Sequence, residues 1–131
     1  MDYKLLVLDI DGTLTNSKKE ITPRVFDALK KAQEKGVKIV LASGRPTYGI
    51  VPVAKQLELE KNGGYILSFN GGKIINAETN EVIYQKTLPE EMPALLYDLA
   101  QVSDTRFDGR EEYVQYMEST VGSESLTYAE N

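Results

Sequence analysis

The chain has 131 residues, enough for one ordinary domain and too few for two of typical size. Its formal net charge is -5, whereas proteins that bind duplex nucleic acid normally carry a basic surface, so we expect no nucleic-acid partner. The absence of Cys and His excludes disulfides, histidine catalysis and metal sites built on sulfur or imidazole. Any bound metal must therefore use oxygen ligands, which favours Mg²⁺ or Ca²⁺.

The first part of the chain alternates strand and helix patterns. An apolar run over residues 4–9 predicts a buried strand. Thr22 and Pro23 are typical of a helix start, because the hydroxyl caps the first turn and proline has no N–H to lose there. Gly36 is expected to end this helix, and residues 37–42 predict a second strand. These elements form a parallel βαβ unit with a right-handed crossover.

The middle of the chain continues this alternation. A helix is predicted over residues 47–58, with Pro52 confining its regular part to the later turns. Residues 65–69 predict a third strand. Residues 73–76 and 82–86 predict a hairpin.

A last helix is predicted to open at residues 88–91, and it places Met92, Leu95, Leu96 and Leu99 on one apolar face. Residues 102–131 show no clear strand or helix pattern. No run approaches the ~20 apolar residues that a bilayer span requires. No basic segment followed by a long apolar run opens the chain, so we expect a cytoplasmic protein without a membrane partner.

Two carboxylates lie at the carboxyl end of the first predicted strand. Asp9 and Asp11 are separated by one residue, and side chains at positions i and i+2 of an extended segment share a face. We therefore expect both carboxylates to point into one small volume. Like charges at that distance shift each other's pKa unless a cation intervenes, so the pair indicates a functional site.

Polar residues also follow the second and third predicted strands, at residues 43–45 and 70–71. Ligands of an open parallel α/β sheet bind outside the carboxyl ends of the strands, so these residues should share one rim with Asp9 and Asp11. A carboxylate nucleophile, a second carboxylate, a hydroxyl at a turn and oxygen ligands for Mg²⁺ together suit phosphoryl transfer.

The run from Asp9 to Leu14 resembles the first motif of the haloacid dehalogenase superfamily, and residues 43–46 resemble its second motif. Residues 68–72 and the hairpin after them are similar to the segment leading to the cap in the Cof-type sugar-phosphatase branch. The resemblance implies a Rossmann-like three-layer α/β core with a partial parallel sheet in residues 1–84. It implies part of an α+β cap in residues 85–131.

The resemblance also implies a role for each site residue. Asp9 would attack phosphorus and carry an aspartyl-phosphate, and Asp11 would protonate the leaving oxygen and then activate water. Mg²⁺ would bridge Asp9, the main-chain carbonyl of Asp11 and the phosphate of a small phosphorylated metabolite such as a sugar phosphate. The residues that would bind phosphate or substrate are Gly12, Thr13, Ser43, Gly44, Arg45 and Asn70.

Two other motifs of the superfamily, one with a Lys and one with further Asp residues, are not found in this sequence. The resemblance covers residues 3–101, so we expect the chain to correspond to the first half of such a protein. Residues 5–8 would then form an apolar sheet edge, which predicts self-association or a complementing segment. The alternative function is a catalytically incompetent phosphate-binding or interaction module. A receiver-like phosphoacceptor fits less well, because its phosphorylated Asp would lie on a later strand.

Overall fold

The computed structural model describes residues 2–102. The chain divides after Gln85 into two units. The strands, all in the first unit, are β1 (Leu5–Asp9), β2 (Lys38–Ala42), β3 (Gly64–Ser68), β4 (Lys73–Asn76) and β5 (Val82–Gln85). Its helices are α1 (Pro23–Glu34), α2 (Thr47–Gln56) and α3 (Leu59–Asn62), with a 3₁₀ turn at Phe69–Gly71. In the second unit, α4 spans Met92–Val102.

The five strands form one mixed sheet in the order β1-β2-β3-β4-β5. β1, β2 and β3 are parallel, and their register places Asp9 beside Ala42 and Ala42 beside Leu67. β4 is antiparallel to β3, and β5 is antiparallel to β4, as the predicted hairpin requires. The carboxyl ends of the three parallel strands therefore meet at one edge of the sheet.

The hydrophobic core lies on the face of the sheet that α1, α2 and α3 cover. Alternate strand residues point into it, so that Ile39, Leu41 and Ile66 are buried there. The helices and their connections contribute Leu29, Ile50, Ala54, Leu57 and Leu59. Both crossovers step in the same direction across the sheet, so right-handed connections place these helices on one face. The second helical layer of the expected three-layer core is not seen among the described residues of this unit.

β1 forms an edge of the described sheet, where it pairs with β2 alone. Leu6 and Leu8 pack partly against the core, whereas Leu5 and Val7 are 53% and 57% exposed. An apolar edge is therefore present in the described part of the chain, as the sequence analysis expected. Self-association or completion by another segment stays a prediction.

Two helical features differ from the predictions. Pro52 lies inside α2, which begins at Thr47, so the expected confinement to the later turns is wrong. Proline removes only the N–H that would bond to the carbonyl of Tyr48, and the preceding turn remains helical. The short α3 follows Glu58, whose φ is +52°, and four residues are too few to show a helical period.

In the second unit, α4 confirms the predicted last helix. Leu95 and Leu99 are exposed, although the sequence pattern placed them on the apolar face with Met92 and Leu96. Within residues 2–102, the helices are too short or too polar to cross a bilayer. The predicted cap segment, 85–131, extends beyond the described residues.

Candidate active site

The turn after β1 presents Asp9 and Asp11 outward. Ile10 and Leu14, between and beyond them, bury their side chains in the core. The backbone N–H of Leu14 donates to the carbonyl of Asp9 at 3.1 Å. Gly12 has a φ of +79°, a left-handed conformation that glycine adopts without steric cost, and it lets the chain reverse here. The two carboxylates face outward because the residues that alternate with them are anchored inside.

Asp9 lies in a cavity of about 320 Å³ at the carboxyl ends of the parallel strands. Four predicted site residues line this cavity, namely Asp9, Ser43, Gly44 and Asn70. Its wall also contains Ala42, Leu67 and Gly71, which the sequence analysis did not assign to the site. Ala42 and Leu67 enter the wall through strand register, which local sequence patterns do not specify.

Backbone hydrogen bonds join the loops that follow β2 and β3. The N–H of Ser43 donates to the carbonyl of Leu67 at 3.0 Å, and the N–H of Asn70 donates to the carbonyl of Ser43 at 3.1 Å. The N–H of Phe69 donates to the carbonyl of Arg45 at 2.9 Å. The Ser43 hydroxyl accepts the N–H of Arg45 at 3.1 Å. Since its role there is that of acceptor, its own proton can be donated to an anion in the cavity.

The 3₁₀ turn after β3 has an uncommon backbone. Phe69, Asn70 and Gly71 have φ values of +52°, +56° and +89°. Non-glycine residues in this left-handed region are uncommon, and such conformations concentrate at functional sites. The turn brings the Asn70 carboxamide against Gly44, where a Cβ would lie only 2.9 Å from Asn70 Oδ1. Glycine at position 44 therefore permits the position that the carboxamide occupies.

Asp11 is paired with Arg45. The Arg45 Nε donates to Asp11 Oδ2 at 2.9 Å, and Nη2 donates to Oδ1 in a second, short contact. The Arg45 Nη1 donates to the carbonyl of Gly49 in α2 at 3.1 Å. These hydrogen bonds lower the pKa of the Asp11 carboxyl below its usual range, and the charge of Lys19 lowers it further. The pKa of Arg45 is raised by the same hydrogen bonds.

Four predicted site residues are not in the cavity wall, namely Asp11, Gly12, Thr13 and Arg45. That Asp9 and Asp11 point into one small volume stays a prediction, and Arg45, which contacts Asp11, also feels the charge of Asp9. β1 ends at Asp9, and the chain turns at Ile10, so the alternation of a strand no longer orients Asp11. The Thr13 hydroxyl contacts Asp9 Oδ2 at 3.4 Å, and Arg45 reaches Asp11 instead of the cavity.

The described residues contain no group of three or more Asp, Glu, His or Cys side chains that could hold a metal ion. Of the two predicted metal ligands, the Asp9 carboxylate lines the cavity. Asp11 was predicted to contribute its main-chain carbonyl, and its carboxylate is paired with Arg45. Mg²⁺ in proteins commonly binds one or two carboxylates and takes its remaining oxygens from water and substrate phosphate. The oxygen donors present fit such a site, with Asp9 as its carboxylate.

A buried hydroxyl pair connects α2 to β3 and was not predicted. Thr47 Oγ1 and Ser68 Oγ are 2.8 Å apart, and both side chains are buried. Ser68 Oγ also lies 3.5 Å from the carbonyl oxygen of Lys73. The pair holds the first residue of α2 against the last residue of β3. Two small polar residues 21 positions apart carry no sequence signal for such a contact.

Known proteins with a similar sequence or fold support these observations. The chain matches the haloacid dehalogenase-like hydrolase family over residues 6–128. The Bacillus subtilis (strain 168) protein YxeH is 43% identical over 98 residues, which are 75% of this chain and 36% of YxeH. The chain spans about a third of the length of the curated relatives that it matches.

Two solved structures show the same fold. The crystal structure of a haloacid dehalogenase-like hydrolase from Bacteroides thetaiotaomicron has 56% sequence identity and a TM-score of 0.72, over 77% of this chain and 38% of that one. The haloacid dehalogenase subclass IIB sugar phosphatase BT4131 has 31% identity and a TM-score of 0.62, over 76% and 38%. These likenesses confirm the predicted α/β fold class and the resemblance stated from the motifs.

Proposed function

The chain belongs to the haloacid dehalogenase-like hydrolase family, and from this membership we propose that it acts in Mg²⁺-dependent hydrolysis of phosphomonoesters. The observation that supports the proposal most directly is the cavity shared by Asp9, Ser43 and Gly44. It puts the Asp9 carboxylate and the Ser43 hydroxyl in one cavity with Gly44, and a nucleophile beside a hydroxyl donor suits phosphoryl transfer. The solved relative BT4131 is a sugar phosphatase by name, which supports small phosphorylated metabolites such as sugar phosphates as the substrate class.

The proposed reaction has two steps. A carboxylate oxygen of Asp9 attacks phosphorus, and the bond to the leaving oxygen breaks. Asp11, released from Arg45 and protonated from water, donates its proton to that oxygen. Asp11 then accepts a proton from a water molecule, whose oxygen attacks the phosphorus of the aspartyl-phosphate and releases phosphate and Asp9. The Ser43 hydroxyl and the backbone N–H of Gly44 would hold the phosphoryl oxygens during both steps.

In this proposal Mg²⁺ would be held by the Asp9 carboxylate and the main-chain carbonyl of Asp11. When bound, the ion supplies positive charge that stabilises the phosphoryl oxygens in the transition state. A hard cation suits this chain, which offers oxygen donors and neither Cys nor His.

The test is phosphate release from 4-nitrophenyl phosphate and from hexose phosphates by the full 131-residue chain, with and without Mg²⁺. We expect metal-dependent turnover that Asp9→Asn reduces by on the order of 10⁴-fold or more, because the variant lacks the nucleophile. Asp27→Asn, an exposed aspartate in α1, is the matched control and should leave turnover unchanged. Activity retained in Asp9→Asn refutes the mechanism.

A phosphate-binding or interaction module without turnover is the second candidate. Two observations on the described residues favour it: no cluster of three acidic side chains is present, and the cavity wall contains no Lys or Arg. Catalysis would then require a segment beside β1, from this or another chain, that supplies a cation and acidic ligands. Calorimetry with Mg²⁺ and inorganic phosphate separates the candidates, since binding without hydrolysis supports the module and turnover excludes it.

A further inference from the structure

The hydroxyl pair of Thr47 and Ser68 lies at the base of the two loops that line the cavity. Thr47 opens α2 directly after the loop over residues 43–46, and Ser68 ends β3 directly before the turn over residues 69–71. The two side-chain oxygens are 2.8 Å apart, and the residues are 9% and 0% exposed. Neither residue is part of the cavity wall. The pair therefore joins the two loops from outside the cavity.

The turn after β3 needs support from its surroundings. Phe69 and Asn70 have φ values of +52° and +56°, and non-glycine residues keep such a backbone only where other contacts hold it. Their backbone N–H groups donate to the carbonyls of Arg45 and Ser43 in the loop after β2. These two hydrogen bonds form only while the two loops stay at their present distance. A buried side-chain contact between the loops would keep that distance fixed.

Ser68 has two possible partners, and Thr47 is the nearer one. The Ser68 hydroxyl lies 2.8 Å from the Thr47 hydroxyl but 3.5 Å from the carbonyl oxygen of Lys73, which is at the limit of a hydrogen bond. A buried hydroxyl that loses its partner is costly, so the side chain moves toward any acceptor that remains. Without the Thr47 hydroxyl, Ser68 would therefore turn to Lys73 in β4, and the tie to α2 would be lost.

We propose that Thr47 and Ser68 are positioning residues, whose hydroxyl pair fixes the distance between the loop after β2 and the turn after β3, and so the shape of the cavity that receives phosphate. The consequence for phosphate rests on the proposed hydrolase function. The structural part, the coupling of the two loops, can be measured whether or not the chain turns over substrate. Both residues act through the backbone of the neighbouring cavity residues and do not touch the phosphate.

The structural test is amide hydrogen exchange, followed by NMR on the full chain. Thr47→Val keeps the branched shape and removes the hydroxyl, whereas Thr47→Ser keeps the hydroxyl and removes the methyl group. We expect the Phe69 and Asn70 amides to exchange about 10-fold faster in Thr47→Val and less than about 3-fold faster in Thr47→Ser. The Lys38 amide, which donates to the carbonyl of Lys4, is the internal reference and should keep its native rate.

Two results of this exchange measurement would overturn the proposal. Equal acceleration in Thr47→Val and Thr47→Ser would show that packing, and not the hydroxyl, holds the loops. Unchanged rates for Phe69 and Asn70 in Thr47→Val, or equal acceleration at Lys38, would show that the pair does not act on these loops in particular.

The functional test measures binding of inorganic phosphate by calorimetry with Mg²⁺ present, and turnover of 4-nitrophenyl phosphate. We expect Thr47→Val to weaken phosphate binding and to raise KM by about 10-fold, with kcat falling less than about 3-fold, because the loops hold phosphate in the ground and transition states alike. Thr47→Ser should restore both quantities to within about 2-fold. Val53→Ala is the control, since Val53 also lies in α2 and packs against the core. It should lower Tm without changing KM, and an equal rise in KM would overturn the proposal.

A double-mutant cycle with Ser68→Ala tests whether the two hydroxyls act as one unit. In the Thr47→Val background, Ser68→Ala should weaken phosphate binding by less than about 2-fold more, because the pair is already broken. An additive loss contradicts the inference. A native chain that neither binds phosphate nor turns over substrate, combined with the expected exchange pattern, would refute the proposed hydrolase function and leave the coupling of the loops established. Turnover in the native chain with an unchanged KM in Thr47→Val would refute the inference alone.

Discussion

Gly44→Ala tests whether the contact between the two loops shapes the cavity. An alanine Cβ at this position would lie 2.9 Å from Asn70 Oδ1 and 3.6 Å from the amide carbon of Asn70. The first distance is shorter than ordinary van der Waals contact, so something must move by roughly 0.5 Å. Gly44 does not have a left-handed φ, so alanine causes no backbone strain there. The Asn70 carboxamide, the flexible end of a side chain, is the group that gives way.

This geometry predicts a large effect on the site and a small effect on stability. The free energy of unfolding should change by less than about 1 kcal/mol, because no buried contact is lost. Displacement of a positioning group by about 1 Å can cost about 10²-fold in rate. We therefore expect Gly44→Ala to lower kcat/KM for 4-nitrophenyl phosphate by roughly 10- to 100-fold, and to weaken binding of inorganic phosphate in calorimetry.

A double-mutant cycle with Asn70→Ser tests whether contact with Asn70 causes the loss of activity in Gly44→Ala. Serine removes the oxygen that the new methyl group contacts, so Gly44→Ala should have almost no further effect in the Asn70→Ser background. Thermal unfolding of all four chains checks that each one folds. A full loss of activity from Gly44→Ala in that background, or no loss in the native one, would refute the reasoning.

Two further predictions follow from single contacts. Gly64→Ala should lower the free energy of unfolding by about 1–3 kcal/mol, because its Cβ would lie 2.4 Å from the main-chain oxygen of Ile39 in the neighbouring strand. Calorimetry should show a fall in Tm of about 5–20 °C, and an unchanged Tm contradicts the packing described here. The pairing with Arg45 lowers the pKa of Asp11, so the pair stabilises the native state fully above the unfolded-state pKa of about 4. This contribution should disappear as the pH falls through the lowered folded-state pKa, so the stability difference between the native chain and Asp11→Asn should shrink from pH 7 toward pH 2 in denaturant titrations.

Much of the fold is readable from local sequence. The Thr22 hydroxyl accepts the N–H of Val25 at 3.4 Å and α1 begins at Pro23, as the capping pattern predicts. The strands β1 to β5 lie within about one residue of their predicted positions. The prediction that the first strand is buried is wrong for Leu5 and Val7, because β1 is an edge of the described sheet. The run from Asp9 to Leu14 contains enough of the first motif to indicate the family, which the comparison over residues 6–128 confirms.

The contacts within the candidate site could not be predicted from local sequence. Arg45 was predicted to bind phosphate or substrate, yet its guanidinium reaches Asp11, which is 34 positions away in the chain. The left-handed turn at Phe69 and Asn70 could not be predicted either, because neither residue type requires that conformation. The Arg45 contact and the left-handed turn depend on how the loops after β2 and β3 meet at the sheet edge, which only the tertiary structure shows.

The sequence by itself determined the order and approximate bounds of the strands and of α1, α2 and α4. Hydrophobic periodicity, capping residues and the Asp-x-Asp-Gly-Thr motif can be read from the sequence, because each depends on burial or backbone hydrogen bonding within a short segment. Only the tertiary structure decided that Asp9 lines the cavity and Asp11 turns to Arg45. The reason is physical: side-chain rotamers beyond a strand end are selected by long-range partners, and strand register determines which partners are within reach.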